Sequence, residues 1–152
     1  MNLNNYTIKS KEAVERAGQI AAEGGQQAIE NVHVLKGILS VDENVVPFLL
    51  KKLNVNTSLF SQTLDRIIDG LPRVSGGGEM YLSQDANRAL NNASSYLKEF
   101  NDQFVSIEHI LLGILAGKDT AAQLLKDNGV SMKDLKSAIK ELRKGSRVDS
   151  QT

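Results

Sequence analysis

Cysteine and tryptophan are missing from this 152-residue chain, proline occurs twice, and aromatic residues make up only 5% of it. Without cysteine there is no disulfide, no thiolate nucleophile and no Cys-based zinc site. With so few rings, the core has to be aliphatic. Apolar residues are 41% of the chain, enough for one ordinary domain. Charge of one sign is also lacking: Lys plus Arg and Asp plus Glu are 18 each. That balance argues against a nucleic-acid binder, whose affinity rests on neutralising phosphates. No apolar run approaches the ~20 residues needed to span a bilayer, and residues 1–11 lack the apolar stretch of a signal peptide. A cytoplasmic protein is expected, with no membrane and no nucleic acid among its partners. The sequons at Asn5, Asn56 and Asn92 then read as chance.

What the chain does contain is a duplication. Pairing each residue with the one 76 further on aligns 7–39 with 83–115 without a gap. Ala13 meets Ala89, Ala17 meets Ala93, and His33-Val34-Leu35-Lys36-Gly37-Ile38-Leu39 meets His109-Ile110-Leu111-Leu112-Gly113-Ile114-Leu115. After one deletion near Val46, Leu49-Leu50-Lys51 meets Leu124-Leu125-Lys126, and Phe60 and Leu64 fall on Leu135 and Ile139. Helical phase and residue size are kept throughout, as duplication requires. The expected fold is all-α: two pseudo-symmetric four-helix repeats, about eight helices, joined by a Gly-rich linker. Repeat one covers 7–70, the linker 71–82 and repeat two 83–145, all in one domain of 1–145. Thr7 and Ser83 read as hydroxyl caps of the first helix of each repeat. Ala13, Ala17, Ile20 and Ala21, and then Ala86, Leu90, Ala93 and Leu97, read as the buried stripes. Small Ala at helix crossings lets the axes approach closely. The linker carries Pro72 and Gly76-Gly77-Gly78. The polar tail 146–152 is expected to be flexible.

Catalytic patterns are weak. Gly113-Ile114-Leu115-Ala116-Gly117-Lys118-Asp119 faintly resembles a phosphate loop. It has three residues between its glycines where the loop needs four, an Asp where a hydroxyl belongs, and no strand before it. Gly76-Gly77-Gly78 lacks the strand-before, helix-after context of a dinucleotide loop and reads as a hinge. His33 and His109 are the only histidines. They occupy equivalent positions at the start of the same helix, where each can hydrogen-bond the helix end. A Ser-His-Asp arrangement stays open, but no nucleophile motif supports one. Lys136, Lys140, Arg143, Lys144 and Arg147 read as a solvated helix face with cations at its C-terminal end. No catalytic residue, metal site or cofactor is expected in these residues.

Four stretches carry a resemblance. They are Met1-Asn2-Leu3-Asn4-Asn5-Tyr6-Thr7 with Lys9, Glu12 and Ala13; Leu71-Pro72-Arg73-Val74-Ser75-Gly76 with Tyr81-Leu82-Ser83; Val105-Ser106-Ile107-Glu108-His109-Ile110-Leu111-Leu112; and Lys144-Gly145-Ser146-Arg147-Val148-Asp149-Ser150-Gln151. Together they resemble the Clp N-terminal (Clp repeat) domain, the helical module at the front of AAA+ unfoldases, and in particular that of the ClpB-type protein disaggregases. The resemblance implies a non-catalytic, monomeric domain excised from a longer chain. That chain would carry two ATPase modules using ATP and Mg, assemble as a hexamer and work with the DnaK chaperone system on unfolded or aggregated protein. It also implies an apolar substrate groove. By motif matching Thr7, Leu90, Tyr96, Asp102, Glu108 and His109 fall on the family's groove-side positions. Thr7 and Glu108 serve equally as helix caps and dipole partners; for Leu90 the core role is slightly favoured, and Tyr96 is the better surface candidate. Two other functions stay open: an adaptor-docking platform of the ClpC or ClpA type, and a stand-alone helical nucleic-acid binder. Asn31-Val32-His33 departs from the family's usual Pro-Glu-His, so repeat one lacks the carboxylate equivalent to Glu108. A site that needs this acid must be built on repeat two.

Overall fold

Thr7 has extended backbone, and its hydroxyl accepts the N–H of Ser10 at 3.1 Å, which opens helix α1 (Ile8–Glu23). Ser83 does the same for α5 (Gln84–Ala93) through the N–H of Ala86, also at 3.1 Å. The computed structural model describes residues 2–76, 78–144 and 146–152. Met1, Gly77 and Gly145, on which the expected outer limits of the domain and part of the glycine run fall, lie outside the described residues. Repeat one continues with α2 (Asn31–Val41), α3 (Val45–Lys52) and α4 (Thr57–Asp69). Repeat two continues with α6 (Ile107–Leu115), α7 (Thr120–Asp127) and α8 (Met132–Arg143). The all-α duplicated fold is therefore present, with eight α-helices among the described residues. None of them is long and apolar enough to cross a membrane.

The local signals repeat as well. Asn56 and Ser131 cap α4 and α8 through the N–H groups of Leu59 and Asp134. Asn54 (φ 63°) and Gly129 (φ 84°) make the left-handed turns just before them. α5 is shorter than α1. After Ala93 the chain passes through two 3-10 turns, Ser94–Tyr96 and Lys98–Phe100, where the Ser95 hydroxyl donates to the Asn92 carbonyl at 2.6 Å and competes with the helical ladder. The segment stops at left-handed Asn101 (φ 61°), where repeat one has Gly25 (φ 75°).

Two short pairings were not expected from the sequence. β1 (Ala28–Ile29) pairs in parallel with β2 (Tyr81–Leu82), and Tyr6 forms a parallel bridge with Val105. Tyr6 is equivalent to Leu82 and Ile29 to Val105, so each repeat lends its leading residue to the other. The Tyr6 ring is buried and its hydroxyl donates to the Leu90 carbonyl at 2.8 Å; burial pushes its pKa up to about 12.

The centre of each repeat is a close crossing of its first two helices. A methyl group at Gly37 would fall inside contact distance of the Ala13 carbonyl and the Ala17 nitrogen. A methyl at Gly113 would do the same against Ala89 and Ala93. Around these crossings lies one aliphatic core that includes Leu35, Ile38, Leu64, Leu90, Leu111 and Ile139. Gly18, inside α1, has only Ile29 at an ordinary 3.5 Å. The two kinds of helical glycine therefore predict opposite signs. Gly18→Ala should stabilise the domain by about 0.5–1 kcal/mol through helix propensity. Gly37→Ala and Gly113→Ala should each destabilise it by about 1–3 kcal/mol through overpacking against backbone. Urea unfolding of the three variants checks this.

Candidate functional site

Asp102, Glu108, His109 and Arg143 meet between the start of α6 and the end of α8. Arg143 Nη1 donates to both oxygens of Asp102 at 2.8 Å, and its Nε donates to Glu108 Oε2 at 3.0 Å. The Asp102 carboxylate is fully buried and also accepts the Val148 N–H on Oδ1 at 2.7 Å. Glu108 lies in the first turn of α6, where the helix dipole adds to the pull of the guanidinium. His109 Nδ1 accepts the Ser106 N–H at 2.8 Å, tying off the start of the helix. Its Nε2 is 2.7 Å from Asp102 Oδ2, but off the N–H axis, so this contact is electrostatic rather than an aligned hydrogen bond. Burial lowers the His109 pKa; Asp102 and Glu108 oppose that shift and Arg143 adds to it.

Ser106 Oγ lies 2.9 Å from His109 Nδ1, so Ser106, His109 and Asp102 adjoin in the order of a hydrolytic triad. The chemistry does not follow from that order. Nδ1 already takes the backbone N–H, the hydroxyl is buried, and Arg143 Nη2 is 3.5 Å from it. The grouping is a helix cap joined to an ion cluster.

Repeat one builds the same hub without the buried ion cluster; its one carboxylate, Glu30, stands for Ser106 and caps the start of α2. Gln26 stands for Asp102, Val32 for Glu108, His33 for His109 and Ile68 for Arg143. Glu30 N–H donates to His33 Nδ1 at 2.9 Å, and His33 Nε2 is 3.3 Å from Gln26 Oε1. Gln26 spends its amide N–H groups on the Gly24 and Leu71 carbonyls. Burial again lowers the histidine's pKa, and Lys36 adds to the effect.

Asp102, Glu108 and His109 thus come together, with Ser106 and Arg143, which sequence reasoning did not place there. They do not form an open groove wall: their polar groups turn inward on one another. Leu90 takes the core role that was slightly favoured for it, and not the groove-side role. It is 0% exposed and fills the core under the Tyr6 hydroxyl, so no ligand can touch its side chain. Thr7 is a buried cap, its hydroxyl donating to Ser10 Oγ at 2.9 Å. Tyr96 is half-buried, with Lys136 Nζ 5.2 Å from its ring centroid. Lys140 and Arg143 lie 5.8 and 5.6 Å from the Phe100 ring. This cation–aromatic ladder holds α8 against the 3-10 turns, so the basic residues of α8 do not all face free solvent. The tail lies against the body of the domain: Gln103 and Phe104 donate to the Val148 carbonyl, and Ile8 donates to the Gln151 carbonyl at 2.8 Å.

A groove of about 680 Å³ opens elsewhere on repeat two, along α5 and the α6–α7 connection. Its small residues are Ala89, Gly113, Ala116 and Gly117, and its amides include Asn31 and Asn92. Asn31 donates to the Asp85 carbonyl and to Asp119 Oδ2, while its buried Oδ1 has no partner among the described residues. In repeat one the matching track is bridged. Arg16 donates to Ser40 Oγ at 2.7 Å, and Lys9 lies 3.9 Å from Asp42. Asn92 and Ala116 replace Arg16 and Ser40 in repeat two and leave the groove open. The signal was present in the alignment of the two repeats, as a lost bridge rather than a gained motif.

Residues 5–128 match the family model of the Clp repeat (R) N-terminal domain. The chain belongs to the Clp N-terminal domain family. Among curated relatives of this Clp N-terminal domain, chaperone protein ClpB of Bacteroides thetaiotaomicron is 49% identical over 152 residues, and that of Porphyromonas gingivalis 45%. All of this chain aligns in both cases, spanning 18% of each relative's length. Among solved structures, the Hsp104 N-terminal domain from Candida albicans superposes with a TM-score of 0.85 at 21% identity, covering 98% of both chains. The N-terminal domain of ClpD from Arabidopsis thaliana gives 0.70 at 23%, covering 95% of this chain and 98% of that one. These two likenesses concern the fold.

Two outcomes follow from the hubs. Both histidines have folded-state pKa values below the ordinary 6.5. The stability this represents is fully present above the unfolded value and is lost as pH falls through the folded values. Urea midpoints measured from pH 7.5 down to 5 should therefore fall, and a His33→Gln/His109→Gln variant should fall less steeply. Arg143→Ala should cost about 3–5 kcal/mol by stranding two buried carboxylates. The triple change Asp102→Gln, Glu108→Val, Arg143→Ile, which copies repeat one, should recover most of that loss in the same assay.

Proposed function

We propose that this chain is the polypeptide-engaging domain of a ClpB-type, ATP-dependent chaperone that acts on unfolded or aggregated protein, and that its open groove on repeat two is the contact surface. The observation that carries the reading is the groove itself, in a chain that aligns over its whole length with ClpB chaperones. A receptor for many sequences has to bind weakly and let go, at roughly micromolar to millimolar strength, or about −8 to −4 kcal/mol. Small residues along the groove admit varied side chains, and the amides of Asn31 and Asn92 can pair with peptide groups of any sequence. Tyr96, half-buried against Lys136, does not line this groove but remains the expected residue with an accessible ring; Thr7 caps the first helix of repeat one, and Asp102, Glu108 and His109 act by holding the second repeat in shape.

On this reading the domain carries no catalytic group or cofactor of its own. ATP and Mg, the hexamer and the cooperation with the DnaK system belong to the longer chaperone, acting in the cytoplasm. A mobile tether would then raise the effective concentration of held polypeptide near the ATPase modules.

The test rebuilds the bridge of repeat one. Asn92→Arg with Ala116→Ser should close the groove and weaken binding of reduced, carboxymethylated α-lactalbumin by about 5-fold or more, equivalent to about 1 kcal/mol. Thermal unfolding should stay unchanged. NMR titration in which the wild-type groove amides do not move, or in which the bridged variant binds as well as wild type, would overturn the reading. Capture of one folded adaptor instead of unfolded chains would point to a docking platform.

A further inference from the structure

We propose that the C-terminal strap, residues 146–152, occupies a second polypeptide-binding track that reads only main chain, and that an extended segment of an unfolded protein can take its place. The strap shows what the track accepts. At Val148 the main chain gives its N–H to Asp102 Oδ1 and takes N–H groups from Gln103 at 2.8 Å and Phe104 at 3.3 Å. Three residues on, the Gln151 carbonyl takes the Ile8 N–H, one of the donors that the start of α1 cannot satisfy within the helix. The Gln151 side chain adds bonds to the Asn4 and Tyr6 carbonyls at 2.9 and 3.4 Å. Apart from this amide and the Ser146 hydroxyl, which donates to the Arg143 carbonyl at 2.7 Å, no side chain of the strap bonds to the rest of the domain among the described residues, so the recognition is mainly of main chain and depends little on sequence.

The track is held by contacts outside the strap. Asp102 is fixed by both Arg143 contacts and by left-handed Asn101, and the Ile8 N–H is fixed by the Thr7 cap. Repeat one provides the contrast. There the segment leaving α4 folds back on the equivalent stretch, with Val74 donating to the Gly25 carbonyl and Tyr81 to the Gln27 carbonyl. That segment is anchored in helices at both ends, and its hub offers a neutral amide where repeat two offers a carboxylate. The strap follows α8 and meets the track through these few bonds, and its release leaves behind a buried carboxylate and free N–H groups that need new partners.

This inference rests on the reading of the domain as a receptor for unfolded protein, but it concerns a different face from the groove. Val148→Pro removes the N–H to Asp102 and leaves every residue of the track in place. Amide exchange at Ile8 and Gln103 should quicken by about 10-fold in that variant while amides of the α1–α2 core stay protected. With the strap released, reduced, carboxymethylated α-lactalbumin should bind about 3-fold or more tighter, because competition for the track is gone. Its titration should move the Ile8 and Gln103 amides and slow their exchange again. Equal or weaker binding, or Ile8 and Gln103 amides that do not respond, overturns the track; binding that persists and moves only the groove amides leaves the groove reading intact. Absence of binding in both proteins overturns both.

Discussion

Everything in this domain is arranged around how closely two helices can cross. Gly37 and Gly113 bring backbone to within touching distance of Ala13 with Ala17, and of Ala89 with Ala93. Once α2 and α6 are set that deep, each is surrounded and has to be apolar all round, as α6 nearly is: every residue from Ile107 to Leu115 is buried. Those two helices then fix the rest. Their C-terminal ends aim the third helices, their faces receive the fourth, and their N-termini lie far enough inside that histidine imidazoles must serve as capping acceptors.

The two buried N-termini solve one problem in two ways. Repeat one gives its histidine Glu30 and Gln26 as partners and has Val32 and Ile68 at the positions where repeat two has Glu108 and Arg143; repeat two uses Asp102, Glu108 and Arg143. An ion cluster is rarely the more stable choice, because removing charges from water costs about as much as their attraction returns. What the charged version adds is an acceptor strong enough to hold a passing main-chain N–H. Repeat two is accordingly the repeat with exchangeable neighbours, and repeat one the repeat that braces it.

Much of this was legible in the residues. The 76-residue offset exposed both repeats, the hydroxyls at Thr7, Ser83 and Ser131 marked helix starts, and the paired histidines could be read as helix-end groups. The rest was hidden for physical reasons. Arg143 and Asp102 are 41 residues apart on separate elements, and no local pattern joins them. Leu90 has the apolar character a groove wall needs and a core needs equally, and only packing separates the two. Two-residue strands are too short for alternation to show. Val148 and Gln151 act mainly through their main chain, which every residue type shares, so a polar tail looks alike whether it is tied down or free.

The reciprocal pairing of Tyr6 with Val105 and of Leu82 with Ile29 has one more consequence. Each repeat hands its leading residue to the other and receives the same in return, which is the bonding of an isologous two-fold dimer carried out within one chain. A single repeat on its own would carry an unfilled edge and an unmet partner. Because residues 71–82 join both halves in one chain, the halves need not be identical: repeat one carries the Arg16–Ser40 bridge and repeat two has Asn92 and Ala116 there, a difference that no homodimer can hold.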